Sequence, residues 1–364
     1  MTAVPDIDMT PKGLVNDDGN YVLQHEDIAN LLKYVWSGVL LPVTVSAYQD
    51  RLELSMDTIN QLSDVIKPLL AAYGTAQQNC KKFKDETYPG IVDLSNDVFA
   101  YAQNAGGTVD NSNYGMEAID AVINQQAEDI ERLQMRAAGA VADLKYFESL
   151  TRTDQVKLGS RNSALKSKLV AELGSLEDLD LELDRYRREI SADVDECQRN
   201  RVAAQTTAAY AWVFPIGTIL AAINVSNYTS TADVLEQRIN EVQDLIAKGE
   251  QKKKDETRLI ADLTAIETDL KGVQDKIQPS IKVLETMQGV WSAIAGDLNT
   301  IKELLEKDFK LANEAVAKLQ AKKLVNDWNE LKVAVDKYRQ VAYVADVPSV
   351  SMDDYVAQLN EARK

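Results

Sequence analysis

The sequence predicts an all-α fold, an elongated bundle of long antiparallel helices with a short apolar head hairpin inserted between two of them. Three observations predict it. Apolar residues recur at steps of three and four through most of the 364 residues, which is the spacing of one buried face of a helix. No proline occurs between Pro89 and Pro215. One stretch, 202–232, has no charged side chain, although 27% of the chain is Asp, Glu, Lys or Arg.

The N-terminal part predicts an arm followed by helices. Residues 1–24 contain Pro, Gly and Asp, which is typical of a loose arm. The first 25 residues lack a basic start followed by an apolar run, so no cleavable signal peptide is predicted. A helix is expected to begin near His25, where Glu26 and Asp27 favour its N-terminal dipole.

The segment 34–49 is the second most apolar stretch and carries no charge. We interpret it as a bundle helix kinked at Pro42, with a second membrane element as the alternative. Helical periodicity continues to Tyr101, with interruptions expected at Pro68 and Pro89. Turn-forming residues then predict a loop over 104–115.

Two long helical segments follow, one on each side of the uncharged stretch. The first runs from Met116 for more than eighty residues, with breaks or bends expected at the polar insertions Thr151–Asp154 and Gly159–Asn162. The second restarts at Val234, runs to Pro279 and resumes to Tyr338. The predicted segments are an N-terminal arm (1–24), tail helices with the first long head-bearing helix (25–201), the head (202–232), returning helices (233–345) and a C-terminal turn with a short helix (346–364).

Composition excludes several kinds of function. The formal net charge is −17 and the sequence pI is near 4.6, which argues against a nucleic-acid partner. One histidine, His25, excludes a histidine-based triad or a multi-histidine metal site within one chain. No glycine-rich phosphate loop appears, and the acidic run 175–184 has the leucine spacing of a solvated helix. We therefore expect no enzyme activity, no cofactor and no small-molecule substrate.

The chain has two cysteines, Cys80 and Cys197, far apart in sequence. They form either one disulfide or two buried thiols, and the sequence leaves both open.

The uncharged stretch divides into two short apolar arms. Pro215 and Gly217 lie at its centre, where proline removes an amide donor and glycine supplies a flexible backbone. We therefore predict a reversal at these two residues, between arms of about 203–214 and 216–228. The threonines favour strands and the alanines favour helices, so both forms of the arms stay open.

The composition of this hairpin is compatible with two kinds of environment. It is either a buried core hairpin or the tip where two core helices meet, or it is a tip that faces a membrane. Its place between two very long antiparallel helices puts it at one end of the bundle, where little core is available, and this favours the membrane. The residues predicted to contact lipid are Tyr210, Trp212, Val213, Phe214, Ile216, Ile219, Leu220 and Ile223.

Long bundled helices with a short apolar tongue resemble the cytolysin A type of α-helical pore-forming toxins. This superfamily includes the haemolysin BL and non-haemolytic enterotoxin group, the Xenorhabdus-type two-component toxins and the motility-associated killing factor group. The resemblance rests on the head within 195–238 and on the opening helix around KYVWSGVLLP, Lys33–Pro42. It implies a soluble form, release without a cleavable signal peptide, insertion of the head in the target-cell lipid membrane, and assembly with itself and with sister toxin subunits.

The leading hypothesis is therefore a pore-forming toxin or one component of a toxin. The rival hypothesis is a non-enzymatic helical scaffold or adaptor, whose apolar hairpin docks a protein partner.

Overall fold

The computed structural model describes residues 7–24, 26–108, 116–173, 251–318 and 321–342, the short strands 212–213, 218–220 and 349–350, and the single helical residues 185, 189, 237, 240 and 241. Apart from the N-terminal segment, the three short strands and brief connections, this described part is helical. The predicted all-α class is therefore confirmed.

Helices account for the long described ranges. They are α1 (Glu26–Val39), α2 (Val45–Leu52), α3 (Met56–Gln61), α4 (Ser63–Lys82), α5 (Tyr88–Thr108), α6 (Met116–Leu173), α7 (Gln251–Lys307), α8 (Phe309–Lys318) and α9 (Ala321–Ala342), with a 3-10 turn at Val22–Gln24 and a π-helical segment at Phe83–Thr87. The strands are β1 (Trp212–Val213), β2 (Thr218–Leu220) and β3 (Ser349–Val350), in the sheet order β1-β2-β3. The predicted C-terminal helix, His25 and Cys197 lie outside the described residues.

The polar insertions of α6 do not break it, because their buried side chains, Thr151, Asp154 and Asn162, form hydrogen bonds. The helix is continuous over 58 residues. Thr151 donates a hydrogen bond to the Glu148 carbonyl oxygen at 2.8 Å. Asn79 donates to the Asp154 carboxylate at 2.7 Å, and Asn162 donates to the Leu263 carbonyl oxygen at 3.3 Å. Buried polar groups with partners cost little, so α6 keeps its path.

Two prolines expected to interrupt helices lie inside them. Pro68 is within α4 and Pro279 is within α7. An internal proline costs about 3 kcal/mol because it removes one backbone hydrogen bond. Neighbouring side chains offset this cost by burial: Ile66 and Leu69 beside Pro68, and Ile277 beside Pro279, have no exposed surface. Pro89 is the second residue of α5, in the first turn, where its missing donor costs little.

The predicted kinked helix over 34–49 is instead two helices. α1 ends at Val39 and α2 begins at Val45. Thr44 has extended backbone and its side chain accepts a hydrogen bond from the Ala47 amide at 3.1 Å. This is an N-terminal cap, and Pro42 also disfavours helical backbone at the residue before it. Together they separate the helices where proline alone predicted a bend.

The N-terminal arm, expected to be loose, is packed over its described residues. Leu14 and Tyr21 have no exposed surface, and Leu23 is 1% exposed. Val15 and Tyr21 form an antiparallel bridge. Burial of three large side chains offsets the entropy of ordering a segment that has little regular structure.

The chain divides into two compact units. The first comprises 1–28, 86–146 and 277–343, and the second comprises 29–85, 147–276 and 344–364. An aromatic cluster of Tyr101, Trp291 and Trp328 lies in the core of the first unit. The second unit contains the Phe83–Phe147 and Tyr48–Tyr73 contacts. It also contains the sheet formed by β1, β2 and β3, which we call the head sheet.

Candidate membrane-inserting head

Two short strands form within the uncharged stretch. β1 and β2 pair antiparallel, with Trp212 opposite Ile219 and Val213 opposite Thr218. The pairing leaves four residues between the strands: Phe214, Pro215, Ile216 and Gly217. Strands therefore occur in both predicted arms, on the two sides of the predicted reversal.

The structure describes part of the predicted lipid-contact set. Trp212 and Val213 belong to β1, and Ile219 and Leu220 belong to β2. The other predicted head residues, Tyr210, Phe214, Pro215, Ile216, Gly217 and Ile223, lie outside the described residues. Lipid contact by this set and the turn role of Pro215 and Gly217 stay predictions.

A third strand, which the sequence reasoning did not predict, joins the hairpin. β3 pairs antiparallel with β2, with Val350 opposite Ile219 and Ser349 opposite Leu220. β2 is therefore the middle strand of the sheet. The local signal for β3 is short, a serine and a valine after Pro348. Its partner is far away in sequence, and no local pattern identifies such a partner.

The second unit, which contains the head sheet, has acidic side chains in its helical core. Asp255 and Asp262 of α7 have no exposed surface. They are seven residues apart and share one face with Leu259. In the sequence, both aspartates stand at positions where helical periodicity predicts an apolar residue. The sequence analysis did not identify them.

Asp262 lies among hydroxyl and guanidinium groups of α2 and α4. Tyr73 donates a hydrogen bond to its carboxylate at 3.1 Å, and an Arg51 guanidinium nitrogen lies 3.6 Å from it. Burial raises the pKa of Asp262, and Arg51 and the hydroxyls of Tyr73 and Tyr48 counter only part of that rise.

The carboxylate of Asp255 accepts more hydrogen bonds than that of Asp262. It accepts hydrogen bonds from the Ser55 hydroxyl at 2.5 Å, the Ser55 amide at 2.9 Å and the Thr58 hydroxyl at 2.7 Å. Burial alone would raise the pKa of Asp255, but these hydrogen bonds lower it below its ordinary value. The carboxylate is therefore ionised and joins α7 to the start of α3.

A buried thiol lies beside α1 in the same unit. Cys80 is a free cysteine with 1% of its surface exposed. Of the two alternatives left open by the sequence, a disulfide or buried thiols, Cys80 is a buried thiol. Burial raises its thiol pKa, and the nearby Asp154 raises it further. The site therefore has no reactive thiolate, in agreement with a packing role.

The described part of the chain contains neither a metal-binding cluster nor a membrane-spanning helix. No group of three or more His, Cys, Asp or Glu side chains is placed there to hold a metal ion. Each helix within these ranges is too short or too polar to serve as a transmembrane span.

No protein-family model matches the chain. The pesticidal crystal protein Cry6Ba of Bacillus thuringiensis is 18% identical over 372 residues, covering 94% of this chain and 93% of Cry6Ba. The HblL1 toxin component of Bacillus cereus has a TM-score of 0.63 at 13% identity, covering 94% of this chain and 100% of that structure.

SmhB, from the tripartite α-pore-forming toxin Smh of Serratia marcescens, is similar in two structures. Its soluble form has a TM-score of 0.59 at 15% identity, covering 92% of this chain and 97% of SmhB. Its pore has a TM-score of 0.51 at 12% identity, covering 90% of this chain and 100% of that structure. The chain therefore has the fold of α-helical pore-forming toxin components, which confirms the resemblance predicted from the sequence.

Proposed function

We propose that this protein is a pore-forming cytolysin, or one component of a multi-component cytolysin. Its soluble form inserts the head, 202–232, in a target-cell membrane and assembles there with further copies or with sister subunits. The observation that carries the proposal is the uncharged head in a chain whose charged residues are frequent elsewhere. The fold supports it, because HblL1 and SmhB are toxin components and SmhB has both a soluble and a pore structure.

The free energy for insertion comes from the apolar side chains of the head. Each such side chain gains about 1.5–3 kcal/mol when it leaves water, and a bilayer provides that environment without a large protein core. Charged residues oppose entry by about 2.5–3.5 kcal/mol each at the bilayer centre. A stretch without charge therefore inserts at a far lower cost than the flanking helices.

The lipid-contact residues proposed for this step are those of the predicted set. Trp212 and Tyr210 are amphipathic aromatic residues, which are enriched where the bilayer meets water. Phe214, Ile216, Ile219, Leu220, Val213 and Ile223 supply the apolar surface, and Pro215 with Gly217 supplies the reversal. We further propose that the protein is released in its soluble form and then acts at the target-cell membrane.

Dye release from vesicles tests the proposal. Vesicles of phosphatidylcholine and cholesterol are loaded with a self-quenching dye and mixed with the native chain, with and without candidate sister proteins. The double variant Phe214→Asp plus Leu220→Asp puts two charges in the head, and we expect it to lower the initial rate of leakage by at least about tenfold.

A matched control places the same charges outside the head. Met135 and Val156 on α6 are 63% and 74% exposed, so Met135→Asp plus Val156→Asp adds two carboxylates in solvent. This control variant is expected to release dye at the same rate as the native chain. Equal leakage from the head variant and the native chain would remove the head from the mechanism.

Flotation separates the cytolysin from the scaffold hypothesis. Liposomes without protein are mixed with the native chain and centrifuged in a density gradient. A cytolysin component moves upward with the liposomes, whereas a scaffold that docks only proteins stays at the bottom.

A further inference from the structure

The head sheet combines strands from two regions of different character. β1 and β2 come from the uncharged stretch 202–232, whereas β3 follows α9 near the C-terminus. The pairing of Ile219 with Val350 and of Leu220 with Ser349 joins residues about 130 positions apart. This contact places a strand from the C-terminal region directly on one edge of the candidate membrane-inserting hairpin.

β3 stabilises the hairpin in water. A two-stranded hairpin is marginally stable by itself, and a third strand adds backbone hydrogen bonds along the open edge. Because β2 is central in the sheet, its backbone has strand partners on both sides. Removal of β3 would leave one of these edges to water and to other chains.

The chain around β3 is unsuited to a bilayer. Asp346, Asp353 and Asp354 lie within four residues of the strand, and each carboxylate opposes entry into hydrocarbon. The stretch that contains β1 and β2 has no such charge. β2 therefore cannot carry β3 into the membrane at low cost, and the two strands must separate if the hairpin enters.

Separation is also required by backbone chemistry. Within hydrocarbon, backbone donors and acceptors must be paired in helices or closed barrels, and an open-edged sheet is excluded. A three-stranded sheet of this kind has two open edges. The pairing seen in the structure therefore belongs to the form of the protein that exists in water.

We propose that β3 is a strap that holds the head hairpin in the water-soluble form, and that release of β3 from β2 precedes membrane insertion. This inference rests on the proposed function. It identifies a contact that controls the rate of insertion, in a part of the chain far in sequence from the lipid-contact residues.

An engineered disulfide between β2 and β3 tests the strap. Two pairs of substitutions are made, Leu220→Cys with Ser349→Cys and Ile219→Cys with Val350→Cys, each in a Cys197→Ser background. Adjacent pairs of an antiparallel ladder alternate in Cα separation, and both spacings fall within the range that disulfides bridge. The pair that forms the bridge under mild oxidation is identified by mass spectrometry of the peptides.

The readout is dye release from phosphatidylcholine and cholesterol vesicles by the same preparation before and after reduction. We expect the rate of dye release to be lower by at least about tenfold with the oxidised protein than with the reduced protein. Reduction of the crosslinked sample should return the rate to that of the reduced protein. Oxidised Ser349→Cys and Val350→Cys single variants control for the oxidant. If a verified crosslink leaves the leakage rate unchanged, the strap is not released before insertion and the inference is wrong.

A second variant tests the opposite direction. Val350→Pro removes a backbone donor from β3 and should raise the initial leakage rate about threefold to tenfold, with circular dichroism confirming that the helices are retained. An unchanged or lower rate in this folded variant contradicts the strap. If neither the native protein nor the reduced variant releases dye with any sister protein, the proposed function is wrong. That result differs from equal dye release by the crosslinked and reduced protein, which contradicts only the strap.

Discussion

The Ser55 hydroxyl donates a hydrogen bond of 2.5 Å to the carboxylate of Asp255. Ser55 is also the N-terminal cap of α3, since its side chain accepts from the Thr58 amide. One buried carboxylate of α7 therefore fixes the residue that begins α3. This contact joins two helices of the second unit through charge-assisted hydrogen bonds.

Asp255→Ala is expected to destabilise the protein by about 3 kcal/mol, because it leaves the Ser55 amide and two hydroxyls without their acceptor. Chemical denaturation followed by circular dichroism measures the free energy of unfolding. The control is Asp57→Ala, an exposed residue in the first turn of α3, which should cost no more than about 1 kcal/mol. Equal losses would show that the Asp255 network contributes nothing specific.

Asp262 should make stability depend on pH in the opposite sense from Asp255. Its folded pKa is raised, so the folded state holds the proton more tightly than the unfolded state. This contribution to stability therefore grows as pH falls through the folded pKa, and it levels off below the ordinary pKa of about 3.9. Asp255, whose pKa is lowered, loses its contribution only below that ordinary value.

The Asp262→Asn variant isolates this effect, because it removes the titration while keeping the shape of the side chain. We expect the Tm of the native chain, relative to that of the variant, to rise as pH is lowered from about 7 to about 5. Thermal unfolding at several pH values measures the difference, and other carboxylates titrate equally in both proteins. A difference that does not change with pH would contradict the raised pKa.

Two stacked tryptophans in the first unit should respond unequally to the same substitution. Trp291 and Trp328 have ring centroids 6.3 Å apart and planes at 20°. Trp328 Nε1 donates to the Met9 carbonyl oxygen at 3.1 Å, whereas the buried Trp291 Nε1 has no hydrogen-bond partner among the described residues. Trp328→Phe therefore leaves an acceptor unpaired, and Trp291→Phe does not.

We expect Trp328→Phe to lower the free energy of unfolding by about 1 kcal/mol or more beyond the loss caused by Trp291→Phe. Each variant serves as the control for the other, since both lose the same ring volume from one cluster. Proteolysis of the N-terminal segment should also be faster in Trp328→Phe. Equal losses in stability would mean that the bond to Met9 is not what holds the arm.

Two helical glycines should respond oppositely to alanine. A Cβ at Gly38 would collide with the Sγ of Cys80 and lie 3.0 Å from its Cβ, whereas a Cβ at Gly139 meets nothing within 4 Å. Gly38→Ala should cost about 1–3 kcal/mol through overpacking. Gly139→Ala, within α6, should stabilise by about 0.5–1 kcal/mol because alanine favours the helix.

Cys80→Ala supplies the coupling test for this contact. Combined with Gly38→Ala it removes the sulfur that blocks the new methyl group, so the double variant should be more stable than the sum of the two single changes predicts. Strict additivity would show that α1 moves away from Cys80 at little cost.

Several features of this protein could be predicted from local sequence. Helical spacing of apolar residues predicts α6 and α7, because a helix of that length buries one face whatever its neighbours are. The absence of charge over 202–232 predicts the head for a similar reason, since transfer from water depends on composition. Pro215 and Gly217 predict a reversal, and the structure describes strands on both sides of them.

Pairings between distant residues were decided by tertiary structure. Trp328 donates a hydrogen bond to the Met9 carbonyl oxygen, 319 positions away in sequence. This contact helps to pack an N-terminal segment whose composition predicts a loose arm. Asp255 and Asp262 interrupt the apolar stripe of α7, and only their partners on α2, α3 and α4 explain why burial is tolerated. Pro279 predicted a break by its backbone chemistry, yet the packing of its neighbours keeps α7 continuous.

The sequence by itself therefore determined the all-α class, the long helices α6 and α7 and the position of the uncharged stretch 202–232, because periodicity and hydrophobicity act over a few residues. Tertiary structure decided which carboxylates are buried, which prolines lie inside continuous helices and which strand pairs with β2. Each of these depends on a hydrogen bond or contact whose two groups are brought together only by folding, so no local pattern records it.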